Sequence, residues 1–530
     1  MNNKIIRLGR HQSQGKTSFS GLGDPATNTI TTGPGVMYYF NPAAGISPHG
    51  DGPRVYPQAQ RITLDKVLRY SGQIKKIRTG IKKIYTGPER PAYQWLSKAA
   101  MDHEIKRAKA IKLYVDNHYG KITDVIIDAM GGNIGTMKLA AGAVAGTVEG
   151  NTITAKNGVK FHFMDTMERS RINELEKLVN NKPDSTLLCL VSQSGTTYET
   201  LANYLLLLQE GKILPPANII PMIGTADSPI GEMAKLSGYK PLENPMGDDL
   251  FVIPNWSETG GRWTGNTAEP SLMIALGGGD PEQWFEGYQG TIKDFLNRPL
   301  KNNAVMMGAM LDVAYFANGF KNLFTFAYGE TLAAAKHALD QNVNESTPCL
   351  VDTEGNPFGN GLVHRFLTSP AAQHADMATL TEFTKLPVKL CILTVQHPDV
   401  SSGKPVSAGI LGRSDKIPDV LKKRLGGMIG LRPSELMDAM AASTGAKVWA
   451  IGRPVEFVKI PGVNPKTMAA LLAGQYIKTL VWGMVNNIDV TREMAFTYYK
   501  QVFGTVTDKK NRSVLKQGPA DIFYNAVTGR

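Results

Sequence analysis

At 530 residues the chain is too long for one ordinary hydrophobic core, so two or more domains are expected. Hydrophobic residues at 42% and charged residues at 20% exclude wholesale disorder, and three widely spaced cysteines (Cys189, Cys349, Cys391) exclude a disulfide framework. A net charge of +12 suits anionic ligands, but no finger, helix-turn-helix or RNP pattern accompanies the basic residues, so neither nucleic acid nor a membrane is expected as a partner.

Residues 1 to about 60 are rich in Gly, Pro, Ser and Thr and read as an irregular arm. Gly9–Thr17 ends like a P-loop, but five residues separate its glycines where the motif needs four, and no helical pattern follows, so an ATPase is not expected. A basic helical stretch runs on to about His118, its lysines and arginines reading as a solvated face. No run approaches the roughly 20 apolar residues of a membrane helix, and the N-terminus carries no secretory signal; a soluble, cytoplasmic protein is expected.

From Ile122 the pattern changes. The run Ile122–Met130 predicts a strand ending at Gly131-Gly132, with a helix from about Thr136. Further strands are predicted at 158–163, 185–191 and 218–223, with helices at 168–180 and 197–209 between them. A second alternation follows Pro299: strand 322–327, helix 331–340, strand 388–395, and a strand at 447–451. Helices at 465–485 and 490–503 close the chain. Strands alternating with helices imply parallel sheets covered on both faces. The fold class is therefore α/β, with two doubly wound parallel-sheet domains, an N-terminal arm and C-terminal helices. The boundaries fall at 1–118 (arm and helical segment), 119–298, 299–460 and 461–530.

The sharpest local signal is Ser192-Gln193-Ser194-Gly195-Thr196-Thr197-Tyr198-Glu199-Thr200, directly after the strand at 185–191. A glycine-containing, hydroxyl-rich turn opening a helix offers free N–H groups and neutral donors to a phosphate. A helix cap alone needs one hydroxyl, and here five of nine residues are Ser or Thr. This segment resembles the phosphate-binding signature of sugar isomerase (SIS) domains in the glucose-6-phosphate isomerase family. The resemblance implies that Ser192, Ser194, Thr197 and Thr200 hold a substrate phosphate and that both domains are of the SIS, flavodoxin-like type. Gly131-Gly132-Asn133-Ile134-Gly135 falls where that family has a Gly-Gly-Ser loop, with Asn133 in place of the serine.

Moving a carbonyl between adjacent carbons needs a base that shuttles a proton, a cation for the enediolate oxygen, and acid–base groups that open the sugar ring. Thr259-Gly260-Gly261-Arg262-Trp263 resembles the family's Gly-Gly-Arg motif, implying that Arg262 stabilises the intermediate. Gln341-Asn342-Val343-Asn344-Glu345-Ser346 resembles the segment whose glutamate is the base, implying that role for Glu345 with Gln341 beside it. Gln373-His374, 29 residues beyond Glu345, resembles the pair that assists ring opening, and Lys500 resembles the family's catalytic lysine. The order and spacing of these motifs repeat the family plan from about residue 120 to 505. Two departures stand out: Glu493 replaces a glutamine before the lysine, and Thr347-Pro348-Cys349 replaces Asn-Gly-Lys after the Glu-Ser. The resemblance implies aldose–ketose isomerisation of glucose 6-phosphate and fructose 6-phosphate without metal or organic cofactor, a place in glycolysis and gluconeogenesis, and a homodimer whose sites are completed by the partner's histidine. An isomerase for another phosphosugar and a non-catalytic sugar-phosphate-binding regulator are the alternatives.

Overall fold

The computed structural model describes residues 29–41, 69–210, 214–238, 251, 253, 260–382, 386–396, 404–407, 427–450 and 453–492. The elements begin with β1 (Thr29–Thr31), β2 (Met37–Asn41), α1 (Ser71–Thr86) and α2 (Lys98–His118). Next come β3 (Asp124–Ala129), α3 (Gly132–Ala143), β4 (Ala145–Glu149), β5 (Thr152–Ala155), β6 (Lys160–Met164), α4 (Arg169–Asn181), β7 (Thr186–Ser192), α5 (Tyr198–Glu210), β8 (Ile219–Ile223) and α6 (Pro229–Leu236). Helices α7 (Ala268–Leu276), α8 (Pro281–Asn297) and α9 (Ala304–Ala317) lead to β9 (Asn322–Tyr328) and α10 (Lys336–Ser346). The described chain closes with β10 (Cys349–Val351), β11 (Pro357–Asn360), β12 (Val363–Ser369), α11 (Ala371–Thr381), β13 (Val388–Val395), α12 (Pro433–Ala450), β14 (Val455–Ile460) and α13 (Pro465–Val485).

Two six-stranded sheets result, ordered β4-β5-β6-β3-β7-β8 and β1-β2-β14-β13-β9-β12. In the first, β3 runs parallel to β6 on one side and β7 on the other, and β7 is parallel to β8. In the second, β9 lies parallel between β12 and β13, with β14 parallel to β13. Every residue of β3 and of β7 is buried, as expected where helices cover both faces and leave no solvated side to a strand. The chain leaves β3 for β6 and later returns to β7 on the opposite side. The carboxyl ends of β3 and β7 therefore flank a topological switch point, where ligands of open α/β sheets bind.

Several expectations need correction. The arm is not wholly irregular: β2 pairs antiparallel with β14 and extends the second sheet. The helix after β3 starts at Gly132 rather than near Thr136. The segment before β6 folds into the antiparallel hairpin β4–β5, turning at Gly150, whose φ of +58° favours glycine. A Gly-Asn pair between alternating residues was its signal. Residues 447–450 continue α12, and the strand lies at Val455–Ile460 instead. A short apolar run cannot by itself separate helix from strand; Pro454, whose ring disfavours a helical predecessor, stands directly before β14. The helix expected at 331–340 is a 3₁₀ turn at Glu330–Ala335 followed by α10, so Gln341 and Glu345 sit on a helix. Strand β12 and helix α11 were not anticipated. Residues 490–492 are not helical, and the rest of the expected final helix, like the P-loop-like segment, lies outside the described residues.

The basic stretch is mostly solvated: Lys75, Lys76, Lys82, Lys83, Lys106 and Lys109 are exposed. Arg107 is the exception, buried and bonded to Glu104 at 2.5 Å. One described helix, α13, is long and apolar enough to cross a membrane, contrary to expectation, but 78% of its apolar window is buried within the protein. It starts on a capping box formed by Asn464 and Thr467 and packs against α8.

Candidate active site

The first sheet delivers two turns to its switch point. At the end of β7, Ser192 Oγ bonds Thr197 Oγ1 at 2.7 Å and accepts from Gly195 N at 3.1 Å. Ser194 Oγ bonds Thr196 Oγ1 at 2.9 Å and accepts from Thr196 N at 3.3 Å. The turn is tight: Gly195 has a φ of +64°, and a Cβ there would meet Ser228 Oγ at 2.1 Å. Ser194 is exposed and Thr197 half-buried, whereas Ser192 is buried. Thr200 is wholly buried, and its hydroxyl has no hydrogen-bond partner among the described residues. Beneath the turn, Asp128 of β3 accepts from Asn203 of α5 at 3.2 Å, and burial pushes its carboxyl well above the usual range.

At the end of β3, in the next strand over, Gly131 adopts a φ of +67° and Gly132 opens α3. A Cβ on Gly132 would lie 2.1 Å from the backbone N of Arg262, and one on Gly261 would lie 2.0 Å from Asn133 Oδ1. The two glycine pairs therefore interlock without side chains between them. Gly132→Ala forces backbone against backbone and should cost ~2–3 kcal/mol, read as a lowered denaturation midpoint with a loss of activity.

Behind this junction, Asn133 Nδ2 donates to Glu269 Oε1 in the first turn of α7. Burial pushes the Glu269 carboxyl up to about 7, although bonds from Asn133 and Thr264 favour its ionised form. A carboxyl raised in the folded state contributes stability below its unfolded pKa and loses it as pH rises through the folded one. Glu269→Gln should thus gain melting temperature over the parent at pH 8 but not at pH 4, by a free energy of at most ~3 kcal/mol.

The second half of the chain supplies the charged groups. Arg262, 5% exposed, sits in the 3₁₀ turn Gly261–Trp263 and lies against Ser346 of α10 and the segment 490–492. Its Nε donates to Ser346 Oγ at 2.7 Å, and its Nη2 donates to the carbonyls of Val490 and Arg492 at 3.0 and 2.8 Å. Its Nη1 stands 3.9 Å from Glu345 Oε2. The other oxygen, Glu345 Oε1, accepts from Gln341 Nε2 at 2.6 Å, one helical turn back. Glu345 is half-buried, so it remains within reach of a ligand. Another turn back, the Nε2 of His337 bonds the carbonyl oxygen of Gly131 at 3.0 Å. Loop 131–135, Arg262, Gln341 and Glu345 thus meet at one place.

Two further residues stand apart or out of view. Gln373 opens α11 near the end of β9, its Oε1 accepting from Tyr328 OH at 3.0 Å. His374 beside it is exposed, and its imidazole makes no hydrogen bond or ion pair among the described residues. Lys500 and Glu493 lie outside the described residues. Among those described, no group of three His, Cys, Asp or Glu side chains is placed to hold a metal ion. Ser346, which anchors Arg262, and Glu269 and His337 were not assigned from sequence. Only His337 left a trace there, its four-residue spacing from Gln341 and eight from Glu345.

Comparison with known proteins places this chain in a family. The phosphoglucose isomerase family model matches residues 104–518. A glucose-6-phosphate isomerase of Nostoc punctiforme is 23% identical over 404 residues, covering 74% of this chain and 68% of its own. One from Aspergillus oryzae is 23% identical over 385 residues, covering 70% and 65%, and one from Novosphingobium aromaticivorans is 26% identical over 322 residues, covering 58% and 56%. The matched stretch is thus about two thirds or less of these relatives' length. Among solved structures, a hypothetical protein of Thermus thermophilus superposes with a TM-score of 0.69 at 19% identity, over 83% of this chain and 96% of its own. A glucose-6-phosphate isomerase of Chlamydia trachomatis superposes with a TM-score of 0.67 at 14% identity, over 94% and 93%. These likenesses establish the fold.

Proposed function

The chain belongs to the phosphoglucose isomerase family, and from that premise we propose that it interconverts glucose 6-phosphate and fructose 6-phosphate through a cis-enediolate. The observation that carries this reading is the meeting of Arg262, Glu345 and Gln341 against the loop that begins at Gly131. The phosphate docks at the turn 192–200, where the hydroxyls of Ser192, Ser194 and Thr197, now bonded to one another or to backbone, turn toward the anion. Thr200 joins them only if the first turn of α5 shifts, because its hydroxyl is buried. Gly132 and Asn133 are buried, with Asn133 bonded to Glu269, so they back the sugar site from behind the Arg262 turn.

Glu345 removes a proton from C2 of the open-chain aldose and returns it to C1. A carboxylate suits this shuttle because it takes and gives the proton from one face. The amide of Gln341 orients it. Arg262, held by three acceptors and unable to lose its charge, stabilises the developing oxyanion. Ring opening falls to His374 and Lys500. The exposure of His374, away from Glu345's bonding partners, is what a homodimer that exchanges this histidine between subunits would require. The proposed setting is the cytoplasm, in glycolysis and gluconeogenesis, with domain boundaries near 118, 298 and 460.

An assay that couples glucose 6-phosphate formation from fructose 6-phosphate to an NADP-dependent dehydrogenase tests this reading. Turnover is expected, and its absence at every pH between 5 and 9 would refute it.

A further inference from the structure

Beyond Gln341, the polar side chains on this face of α10 continue to one more titratable group. His337, Gln341 and Glu345 are spaced four residues apart, so their side chains follow one another along one face of α10. The His337 ring is seated against the Gly131–Gly135 loop: its Nε2 meets the Gly131 carbonyl, and a Cβ on Gly135 would lie 2.9 Å from its Cδ2. The Gln341 amide gives its N–H to Glu345, while its Oε1 is buried and makes no close hydrogen bond among the described residues. Gln341 lies one helical turn from His337, and hydrogen bonding to its side chain favours the charged ring.

A neutral imidazole has a single N–H, here committed to the Gly131 carbonyl. An imidazolium has a second, at Nδ1, which the buried Gln341 oxygen can accept. That bond fixes the amide with its N–H on Glu345, the orientation that stabilises a carboxylate. With His337 neutral, the amide is free to rotate by half a turn, giving its N–H to Nδ1 and presenting its oxygen to Glu345. An amide oxygen facing Glu345 is satisfied only by a protonated carboxyl, so Glu345 then holds its proton more tightly.

We propose that His337 is a positioning residue that sets, through the rotatable amide of Gln341, the orientation and proton affinity of Glu345. This rests on the reading of Glu345 as the base. The charged groups around His337 are Lys138 of α3, which disfavours the imidazolium, and Asp165, paired with Lys138 at 2.7 Å, which favours it. On α10 itself, Lys336 and Asp340 pair at 3.3 Å, and Asp340 also bonds His364 of β12 at 2.7 Å. Arg262 faces the far oxygen of Glu345. Burial and Lys138 hold His337 below its ordinary pKa, so the device responds on the acid side of neutrality.

The test compares the full-length protein with His337→Phe and His337→Gln. Both variants should move the acid limb of kcat/KM for fructose 6-phosphate upward by about 0.5–1 pH unit, while kcat and KM on the plateau above it stay within about twofold. The glutamine variant keeps an N–H for the Gly131 carbonyl but has no charge to gain. If it keeps the parent's acid limb, hydrogen bonding alone suffices and the proposal is overturned. If the phenylalanine variant does not fold, the glutamine variant decides. Should the parent itself fail to isomerise, the functional reading falls separately, and the coupling is read by NMR titration of the His337 imidazole. Glu345→Gln is then expected to lower the His337 pKa; an unchanged value overturns the proposal.

Discussion

Replacing Glu345 with glutamine should lower kcat about 10³–10⁴-fold while leaving the affinity for 6-phosphogluconate within a few-fold. The substitution keeps the shape of the side chain and an oxygen to accept from Gln341, so the helix and its neighbours should be undisturbed. What is lost is a group that can accept a proton from carbon and return it. The proposed phosphate contacts at 192–200 do not involve this side chain, so ligand affinity, measured by calorimetry, separates lost chemistry from lost binding. Normal turnover by the variant would show that another group is the base.

Replacing Arg262 with lysine should lower kcat about 10²–10³-fold and destabilise the protein by at least ~2 kcal/mol. The guanidinium reaches three acceptors in three directions, Ser346 Oγ and the carbonyls of Val490 and Arg492, while standing beside Glu345. An ammonium on a flexible stem cannot hold all of them at once, and two of the acceptors, Ser346 and Val490, are buried where water does not substitute. Denaturant midpoints and steady-state kinetics measured together distinguish this from a surface arginine, whose conversion to lysine would change neither. The segment 490–492 would lose its anchor at the same time, so the stability effect should exceed that of an ordinary charge-conserving exchange.

Much of this site was legible in the chain because its parts are local. The phosphate turn lies within nine residues, bounded by a strand and a helix predicted to within one residue of their observed ends. Gln341 and Glu345 are one helical turn apart, a spacing readable without coordinates, although their helix was expected to end at 340. What sequence could not convey was contact between distant segments. The interlock of Gly132 with Gly261 and Arg262 crosses more than a hundred residues, and so does the bond from Asn133 to Glu269. Glycine's role there is to be absent, which leaves no pattern to read. Glu269 looked like a first-turn helix acid until its burial was known. The arm misled for a related reason: β2 is short, and its partner β14 lies some four hundred residues away. Local propensity carries no information about such a pairing. The apolar run at 447–451 failed differently, since burial of a helix on its sheet side and burial of a strand call for the same residues.

The most direct measurement is the conversion of glucose 6-phosphate in deuterium oxide, followed by NMR of the product. Proton transfer through Glu345 predicts fructose 6-phosphate carrying solvent deuterium at C1, with both conversion and labelling abolished in Glu345→Gln. Conversion with no deuterium in the product under any condition, or labelling that survives the loss of the carboxylate, would contradict the account.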